Sequence, residues 1–307
     1  MIVMKPLLAP RLRGSTALIV AVPLLAACGG LTEASDDSGS DPRVVASFYP
    51  LQYVAERVAG DGAIVSILTT PGTEPHDLEL TIPQTADVAD ADVLFYLAEL
   101  QPAVDDAVGQ SGTEHVVDAA KSADLRGSDS QAPGDLDPHF WLDPIRLAAV
   151  AGAFEEELAR AEPNHAEEYT ANLADLQEDL EQLDDDISTG LASCRIDAVV
   201  VSHDAFGYFG SRYGLDLQAV NGLSPEAEPS PAHLRELADL IESEGITTVF
   251  SETLATTAMA DTLAAELGLE TAVLDPVEGL GDATADEDYL SLMRANLAAL
   301  QKANDCR

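Results

Sequence analysis

The chain has 307 residues, of which 46% are hydrophobic and 23% are charged, so it is long enough for two domains of ordinary size. Its 55 acidic residues far outnumber its 15 basic ones, and the formal net charge is −40. A surface with this charge repels nucleic acid, which we exclude as a partner. The excess of acidic residues indicates either a well-solvated surface or a negative field that concentrates cations.

The N-terminus has the parts of an export signal in the usual order. Three basic residues come first, namely Lys5, Arg11 and Arg13. An apolar stretch of about a dozen residues follows, where about 20 would be needed to span a bilayer. The tetrad from Leu25 to Cys28 is similar to the bacterial lipobox, in which cleavage precedes a cysteine that becomes lipidated. We predict a signal peptide over 1–27 and a lipidated Cys28 with a flexible tether over 28–42; the alternative is a plain signal peptide.

Two further cysteines remain once Cys28 is assigned to the anchor. They are Cys194 and Cys306, and export places them in an oxidising compartment, where disulfides persist. We predict that they pair. Two free thiols and metal ligation are the alternatives.

Strand and helix patterns alternate in the first half of the fold, which we place at 43–142. Short apolar runs predict strands and amphipathic segments predict helices. The strands are VVASFYP, AIVSILTT, DVLFYLA and HVVDAA, and the helices are LQYVAERVAG, TIPQTADVADA and residues 103–112. This alternation indicates a parallel sheet with covering helices.

A helical segment over 143–193 separates the two halves. It contains one helix that starts after Asp143 and a longer one that Pro163 opens. The apolar residues of the longer helix recur every three or four positions. They are Tyr169, Leu173, Leu176, Leu180, Leu183, Ile187 and Leu191. We predict a spine packed on its own chain, which acts as a monomer; a coiled-coil dimer is the alternative.

The second half, at 194–307, repeats the alternation. Its strands are IDAVVVS, LDLQAV, ITTVFSE and LETAVLDP, and helical patterns follow each of them. The predicted fold class is therefore α/β, with two lobes that are each a parallel sheet with covering helices. One long rigid helix bridges the lobes, and a ligand is expected in the cleft between them.

Four residues stand where apolar runs break into turns: His76, His139, His203 and Asp275. Three imidazoles and one carboxylate complete the coordination sphere of a borderline-soft divalent cation, above all Zn²⁺. The four are far apart in sequence, so only the folded chain can gather them. We predict that they are the metal ligands, with Glu74 and Glu252 as candidates for an outer layer around them.

These motifs resemble the metal-binding lipoproteins (solute-binding proteins) of bacterial ABC importers for zinc and manganese, the ZnuA/TroA-like family. The segments PGTEPHDLELTIPQ, DPHFWLDP, SHDAFGYFGSRYGL and LDP are similar to its four ligand motifs, in the same order. The resemblance covers nearly everything after Asp41. It implies two α/β lobes bridged by a long helix, no enzymatic activity, and delivery of the metal to a membrane permease from outside the cytoplasmic membrane or from the periplasm.

The residue at the third ligand position indicates which metal the site prefers. Manganese importers of this family commonly have glutamate there, whereas this chain has His203, and imidazole favours zinc over the harder manganese. Many zinc-specific relatives also carry a histidine-rich loop before the second ligand, but residues 121–137 contain no histidine. The predicted protein is therefore a zinc binder, and a manganese or iron binder is the runner-up. A secreted zinc hydrolase is a further alternative, but the sequence lacks the HExxH motif of many such enzymes.

Overall fold

Two parallel sheets organise the chain in the computed structural model, which describes residues 41–127, 136–225, 228–254 and 258–307. These residues belong to one compact unit. The predicted signal peptide, the predicted lipidated Cys28 and residues 128–135 of the loop at 121–137 lie outside the described residues. No helix among the described residues is long and apolar enough to cross a bilayer.

The first sheet has the strand order β2-β1-β3-β4. Its central strands β1 and β3 are almost continuous apolar runs, because both of their faces are covered. Thr81 and Gln84 form a capping box that starts the second helix. Elements follow in the order β1 Arg43–Ala46, α1 Tyr49–Ala59, β2 Ile64–Ile67, α2 Ile82–Ala89, β3 Val93–Tyr96, α3 Pro102–Ser111 and β4 His115–Asp118.

Two helices connect the sheets along the chain, α4 (Pro144–Ala161) and α5 (Ala166–Leu191). The side chain of Asp143 caps α4 by accepting the N–H groups of its first turn. A 3₁₀ turn over Pro163–His165 precedes α5, so the regular helix is shorter than the predicted 163–193. Its 26 residues still span about 39 Å.

The apolar face of α5 is buried against α1, α4 and α9 (Tyr289–Ala303). Leu173 is partly buried, and the other six predicted apolar positions are buried. The face that would have formed a coiled coil is therefore covered by the same chain, which supports the prediction of an internal spine.

The second sheet repeats the order of the first, as β6-β5-β7-β8. Its central strands β5 and β7 are buried throughout. The elements are β5 Ala198–Val201, α6 Gly207–Tyr213, β6 Asp216–Ala219, α7 Pro231–Glu244, β7 Thr248–Ser251, α8 Ala258–Leu267, β8 Glu270–Val273 and then α9. The predicted fold class, with two parallel α/β sheets and one long helix between them, is confirmed.

One cluster of buried apolar side chains runs through both sheets and the helices between them. Phe95 of β3 and Phe154 of α4 stack at 4.6 Å between ring centroids, and Leu180 of α5 and Phe250 of β7 belong to the same cluster. The predicted disulfide between Cys194 and Cys306 is present and ties the end of the chain to the segment after α5.

Candidate metal centre

Four side chains meet where the loops of the two sheets converge. They belong to His76, His139, His203 and Glu278, and each offers one nitrogen or oxygen atom within 4.8 Å of the others. The structure thus brings together the three histidines selected from the sequence. The carboxylate of the group comes from Glu278 and not from Asp275.

The fold explains why these loops converge. His203 follows the buried strand β5 by two residues, and Glu278 lies in the loop after β8. His76 lies in the loop after β2, and His139 immediately precedes the 3₁₀ turn that leads into α4. The carboxyl ends of parallel strands lie at one edge of a sheet, so loops that leave this edge carry their polar side chains to a shared place.

The spacing of the donor atoms fits a tetrahedral ion. Glu278 Oε1 lies 3.5 Å from His76 Nε2, 3.2 Å from His139 Nε2 and 3.6 Å from His203 Nε2. His139 Nε2 and His76 Nε2 are 3.3 Å apart. Donors at the usual zinc distances of about 2.0–2.2 Å would be separated by about 3.3–3.6 Å in a regular tetrahedron. Three of these four distances lie in that range, and the fourth, 3.2 Å between Glu278 Oε1 and His139 Nε2, is just below it.

Two of these donor atoms are buried without a hydrogen bond. They are His203 Nε2 and Glu278 Oε1, and neither has a hydrogen-bond partner among the described residues. An unpartnered polar atom in a protein interior costs free energy unless something else satisfies it. A cation bound among the four side chains would satisfy both atoms, so the residues present fit a metal ion.

Two outer carboxylates orient two of the imidazoles. Asp137 Oδ1 lies 2.8 Å from His139 Nδ1, and Glu252 Oε1 lies 2.9 Å from His203 Nδ1. A hydrogen bond from Nδ1–H to a carboxylate fixes the ring and leaves the Nε2 lone pair for a metal. Glu252 was a sequence candidate for this role. Asp137 was missed, although its position two residues before a predicted ligand was a usable signal.

Glu74, the other outer candidate, contacts the backbone of the first ligand. Its two carboxylate oxygens lie 3.1 and 3.0 Å from the backbone N–H of His76, which donates to them. Glu74 Oε1 is 3.9 Å from His76 Nε2. Burial raises the pKa of Glu74, and the neighbouring His76 opposes that rise. Glu74 therefore holds the His76 loop in place.

The buried charges stabilise one another strongly. Burial would raise the pKa of Glu278, but the three imidazoles outweigh burial and hold that pKa well below its usual range. Burial would lower the pKa of His203, but Glu252 and then Glu278 outweigh it and raise the pKa to about 10. The pKa of His139 is raised in the same way by Asp137 and Glu278. Without a cation, the pocket therefore holds protons that a cation would displace.

Asp275 lies at the end of β8, as predicted, but its carboxylate is used locally. Its Oδ1 accepts the backbone N–H of Val277 at 2.7 Å, and its Oδ2 accepts the hydroxyl of Thr253 at 2.8 Å. Both oxygens are thus occupied by hydrogen bonds within the turn that leads to Glu278. The carboxylate in the donor group lies three residues further along the chain.

His76 is the one member of the group that reaches an open surface. About 14% of its side chain is exposed, against 1% or less for the other three. It lines a cavity of about 270 Å³ together with Glu99, Leu100 and Pro138. A larger cavity of about 740 Å³ beside β6 has Asp137 in its wall but none of the four donor residues. The His76 side is therefore the solvent-exposed side of the donor group.

Three imidazoles and one carboxylate, gathered between two parallel α/β sheets, define a protein that binds a metal ion in a cleft. The chain belongs to the family described as zinc-uptake complex component A periplasmic, whose model matches residues 44–303. That match includes all four donor residues.

Curated relatives and solved structures agree with this assignment. The zinc-binding lipoprotein AdcA of Streptococcus pneumoniae (strain ATCC BAA-255 / R6) is 34% identical over 279 residues, which cover 85% of this chain and 56% of AdcA. The high-affinity zinc uptake system protein ZnuA of Bacillus subtilis (strain 168) is 32% identical over 297 residues, which cover 91% of this chain and 93% of ZnuA. The crystal structure of the Zn(II)-bound ZnuA-like domain of S. pneumoniae AdcA has a TM-score of 0.73 and 33% identity, covering 86% of this chain and 99% of that one. The chain thus spans little more than half of the AdcA relatives and nearly all of ZnuA.

Proposed function

We propose that this protein captures Zn²⁺ outside the cytoplasmic membrane and delivers it to the permease of an ABC importer. The observation that carries the proposal is the buried group of three imidazoles and Glu278, whose donor atoms have the spacing of a tetrahedral zinc site. Membership of the zinc-uptake family and the names of the zinc-binding relatives support it. The proposed ligands are His76, His139, His203 and Glu278, with Glu278 in place of the predicted Asp275.

The donor set favours zinc over manganese or iron. Three imidazole nitrogens suit a borderline-soft cation, whereas manganese prefers oxygen donors and six-fold coordination. His203 is 1% exposed and Glu278 is also 1% exposed, so little room is left there for the waters that a six-coordinate ion would retain. A manganese or iron carrier with the same fold is the second candidate.

The same geometry argues for a carrier and against a zinc hydrolase. A catalytic zinc has three protein ligands and keeps a fourth position open for water. Here four protein donors lie within 4.8 Å of one another, and four of their separations are 3.2–3.6 Å, so the protein itself supplies a fourth ligand. Binding without chemistry is therefore the function that this site supports best.

Metal analysis tests the proposal. Protein purified without added metal should contain close to one zinc per chain, and competition should show a preference for zinc over manganese of several orders of magnitude. A chain that takes up manganese in preference to zinc, or that binds neither ion, would refute a zinc carrier.

We propose that the protein is attached to the membrane through a lipid on Cys28 and works there as a monomer. Stable anchoring needs more than one acyl chain, which the lipobox-like tetrad would supply. A Cys28→Ala variant of the full-length protein is expected to leave the membrane fraction and appear in the soluble exported fraction, as judged by immunoblotting after fractionation. A His165→Ala variant serves as the control and should stay with the membrane, because His165 is partly exposed and is not in the donor group. Retention of the Cys28→Ala variant would indicate another anchor.

Zinc binding is expected to release protons. The pKa of His203 is raised to about 10, so this imidazole is protonated at pH 7, while zinc binds only the neutral form. About one proton must therefore leave, and the zinc affinity should fall about tenfold for each unit by which the pH is lowered below that pKa. Calorimetry in buffers of different ionisation enthalpy measures the number of protons released.

Glu252→Gln is the matched control for the proton release. Glutamine still accepts a hydrogen bond from His203 Nδ1, but it is neutral, so both the charge-assisted hydrogen bond and the charge of Glu252 that raise the pKa of His203 are lost. This variant should release fewer protons and show a weaker dependence of affinity on pH. An unchanged proton count in Glu252→Gln, or no release in the wild-type protein, would contradict the assignment of the charged state.

A further inference from the structure

The turn that carries Glu278 is fixed by side chains on both of its sides. Asp275 bonds to the backbone N–H of Val277 through Oδ1 and to the Thr253 hydroxyl through Oδ2, at 2.7 and 2.8 Å. The amide of Asn296 on α9 pairs with the backbone of Asp275, accepting from its N–H at 2.8 Å and donating to its C=O at 2.7 Å. Both Asp275 and Asn296 are buried. The turn is therefore attached to the loop after β7 and to α9 before it reaches the metal site.

Trp141 holds the same turn from the opposite side. Its indole N–H donates to the backbone C=O of Pro276 at 2.7 Å. The indole ring also lies 5.2 Å from the ring of His139, measured between centroids, and it is fully buried. One rigid side chain thus contacts a histidine ligand and the turn that carries the carboxylate ligand. The relative position of these two donors is set by this shared contact.

Val277 shows that the turn is held in a conformation that it would not adopt alone. Its φ is +57°, in the left-handed region that β-branched residues avoid because of steric clash. Its side chain is fully buried, so the strain persists because the surrounding contacts determine the backbone. The Asp275 carboxylate bonds directly to the N–H of this residue, as aspartate does in tight turns. Glu278 is the next residue, so the geometry at Val277 decides where its carboxylate points.

We propose that Asp275 is a positioning residue: its carboxylate stabilises the left-handed conformation of Val277 and thereby places Glu278 among the three imidazoles. This inference rests on the proposed zinc function. It assigns to Asp275 a role different from direct ligation. Its two oxygens are engaged by Val277 and Thr253, whereas Glu278 Oε1 is buried without a hydrogen-bond partner among the described residues.

Two substitutions at this position separate positioning from ligation. Asp275→Asn keeps an oxygen that accepts from Val277 and an amide that donates to Thr253, but an amide is a poor zinc ligand. Asp275→Ala removes both hydrogen bonds and frees the turn. We expect Asp275→Ala to weaken zinc binding about 10- to 100-fold, the range found for outer partners of metal ligands, and Asp275→Asn to recover most of that loss. Chelator competition measures both affinities.

Cobalt(II) provides a readout that a general loss of stability would not move. Its visible absorption is strong in a tetrahedral site and weak in a five- or six-coordinate site. The wild-type protein and Asp275→Asn should share the tetrahedral spectrum when saturated with Co²⁺, while Asp275→Ala should show weaker bands because Glu278 no longer completes the tetrahedron. Asp186→Ala is the control and should behave as wild type. Asp186 lies on α5, and its partly exposed carboxylate pairs with Arg294 of α9.

The outcomes are distinct for the inference and for the zinc function. If Asp275→Asn binds as weakly as Asp275→Ala while the wild-type protein binds zinc tightly, Asp275 is a ligand and the inference is overturned. Wild-type affinity and an unchanged cobalt spectrum in Asp275→Ala would overturn it as well. If Asp275→Ala does not fold, the comparison of Asp275→Asn with the wild-type protein still decides, because a ligand role predicts a large loss in that variant. Absence of zinc binding in the wild-type protein would refute the proposed function and the inference together.

Discussion

A His139→Ala variant is expected to bind zinc about 10²- to 10³-fold more weakly than the wild-type protein. Four-coordinate protein zinc sites have binding free energies of about 10–16 kcal/mol at neutral pH, so each of four ligands accounts for about 2.5–4 kcal/mol. One tenfold change in affinity corresponds to about 1.4 kcal/mol. His139 is fully buried, and its Nε2 lies within 3.3 Å of two other donor atoms.

The measurement is a competitive titration against a chelator of known zinc affinity. His165→Ala is the matched control, because His165 is a partly exposed histidine that pairs with Glu168 on α5 and is not in the donor group. It should bind zinc as the wild-type protein does. Circular dichroism of the metal-free proteins checks that the variants are folded. Wild-type zinc affinity in His139→Ala would refute the proposed ligand set.

A milder change next to His139 should have a smaller effect. Asp137→Asn keeps an oxygen that can accept from His139 Nδ1 but removes the charge that supports the imidazole. Loss of such an outer partner lowers metal affinity about 10- to 100-fold in general, and the retained acceptor places this variant at the lower end. An effect as large as that of His139→Ala would mean that Asp137 does more than orient the ring.

The sheets and the histidines were predictable because they follow from local patterns. Apolar runs such as that of β5 are short, β-branched and without a polar position, which is typical of buried parallel strands, and a histidine directly after such a strand lies at the carboxyl edge of a sheet. His203 was selected in this way, and the structure places it in the donor group. The long α5 helix was found from the three- and four-residue spacing of its apolar side chains.

The carboxylate of the site could not be selected with the same reasoning. The chain has 55 acidic residues, so the presence of a glutamate carries little information. Asp275 follows β8 closely, and a strand-end position is the reason for which it is predicted as the ligand. Glu278 is placed by a turn whose left-handed residue, Val277, and whose partners, Trp141 and Asn296, are distant in sequence. Such a turn depends on tertiary contacts, which no local pattern reveals.

The predicted ends of the spine helix were also displaced for a local reason. Pro163 opens a 3₁₀ turn in which the side chain of Glu162 accepts the N–H of Asn164, and the α-helix starts only at Ala166. Helix boundaries depend on such capping contacts, which vary by one or two residues without a change in the apolar pattern.

Removing the disulfide is expected to lower the free energy of unfolding by about 4–5 kcal/mol while leaving zinc affinity within a few-fold of wild type. Cys194 and Cys306 close a loop of 112 residues, and in the chain-entropy model a loop of this length restricts the unfolded chain by about that free energy. Zinc affinity should persist because neither cysteine belongs to the donor group. The C-terminus also keeps non-covalent contacts, since Arg195 and Arg307 form backbone hydrogen bonds that join the two segments.

Denaturant unfolding of the metal-free protein measures this effect in three forms: oxidised wild type, reduced wild type, and the Cys194→Ser/Cys306→Ser double variant. The reduced protein and the double variant should share one midpoint, well below that of the oxidised protein, because both lack only the crosslink. A single-cysteine variant is unsuitable, because it leaves a thiol that can form disulfides between molecules. Equal midpoints for the oxidised and reduced wild-type proteins would show that the non-covalent contacts alone restrain the C-terminus. A large loss of zinc affinity in the double variant would show that the position of α9, which carries Asn296, depends on the crosslink and reaches the metal through the turn at Asp275.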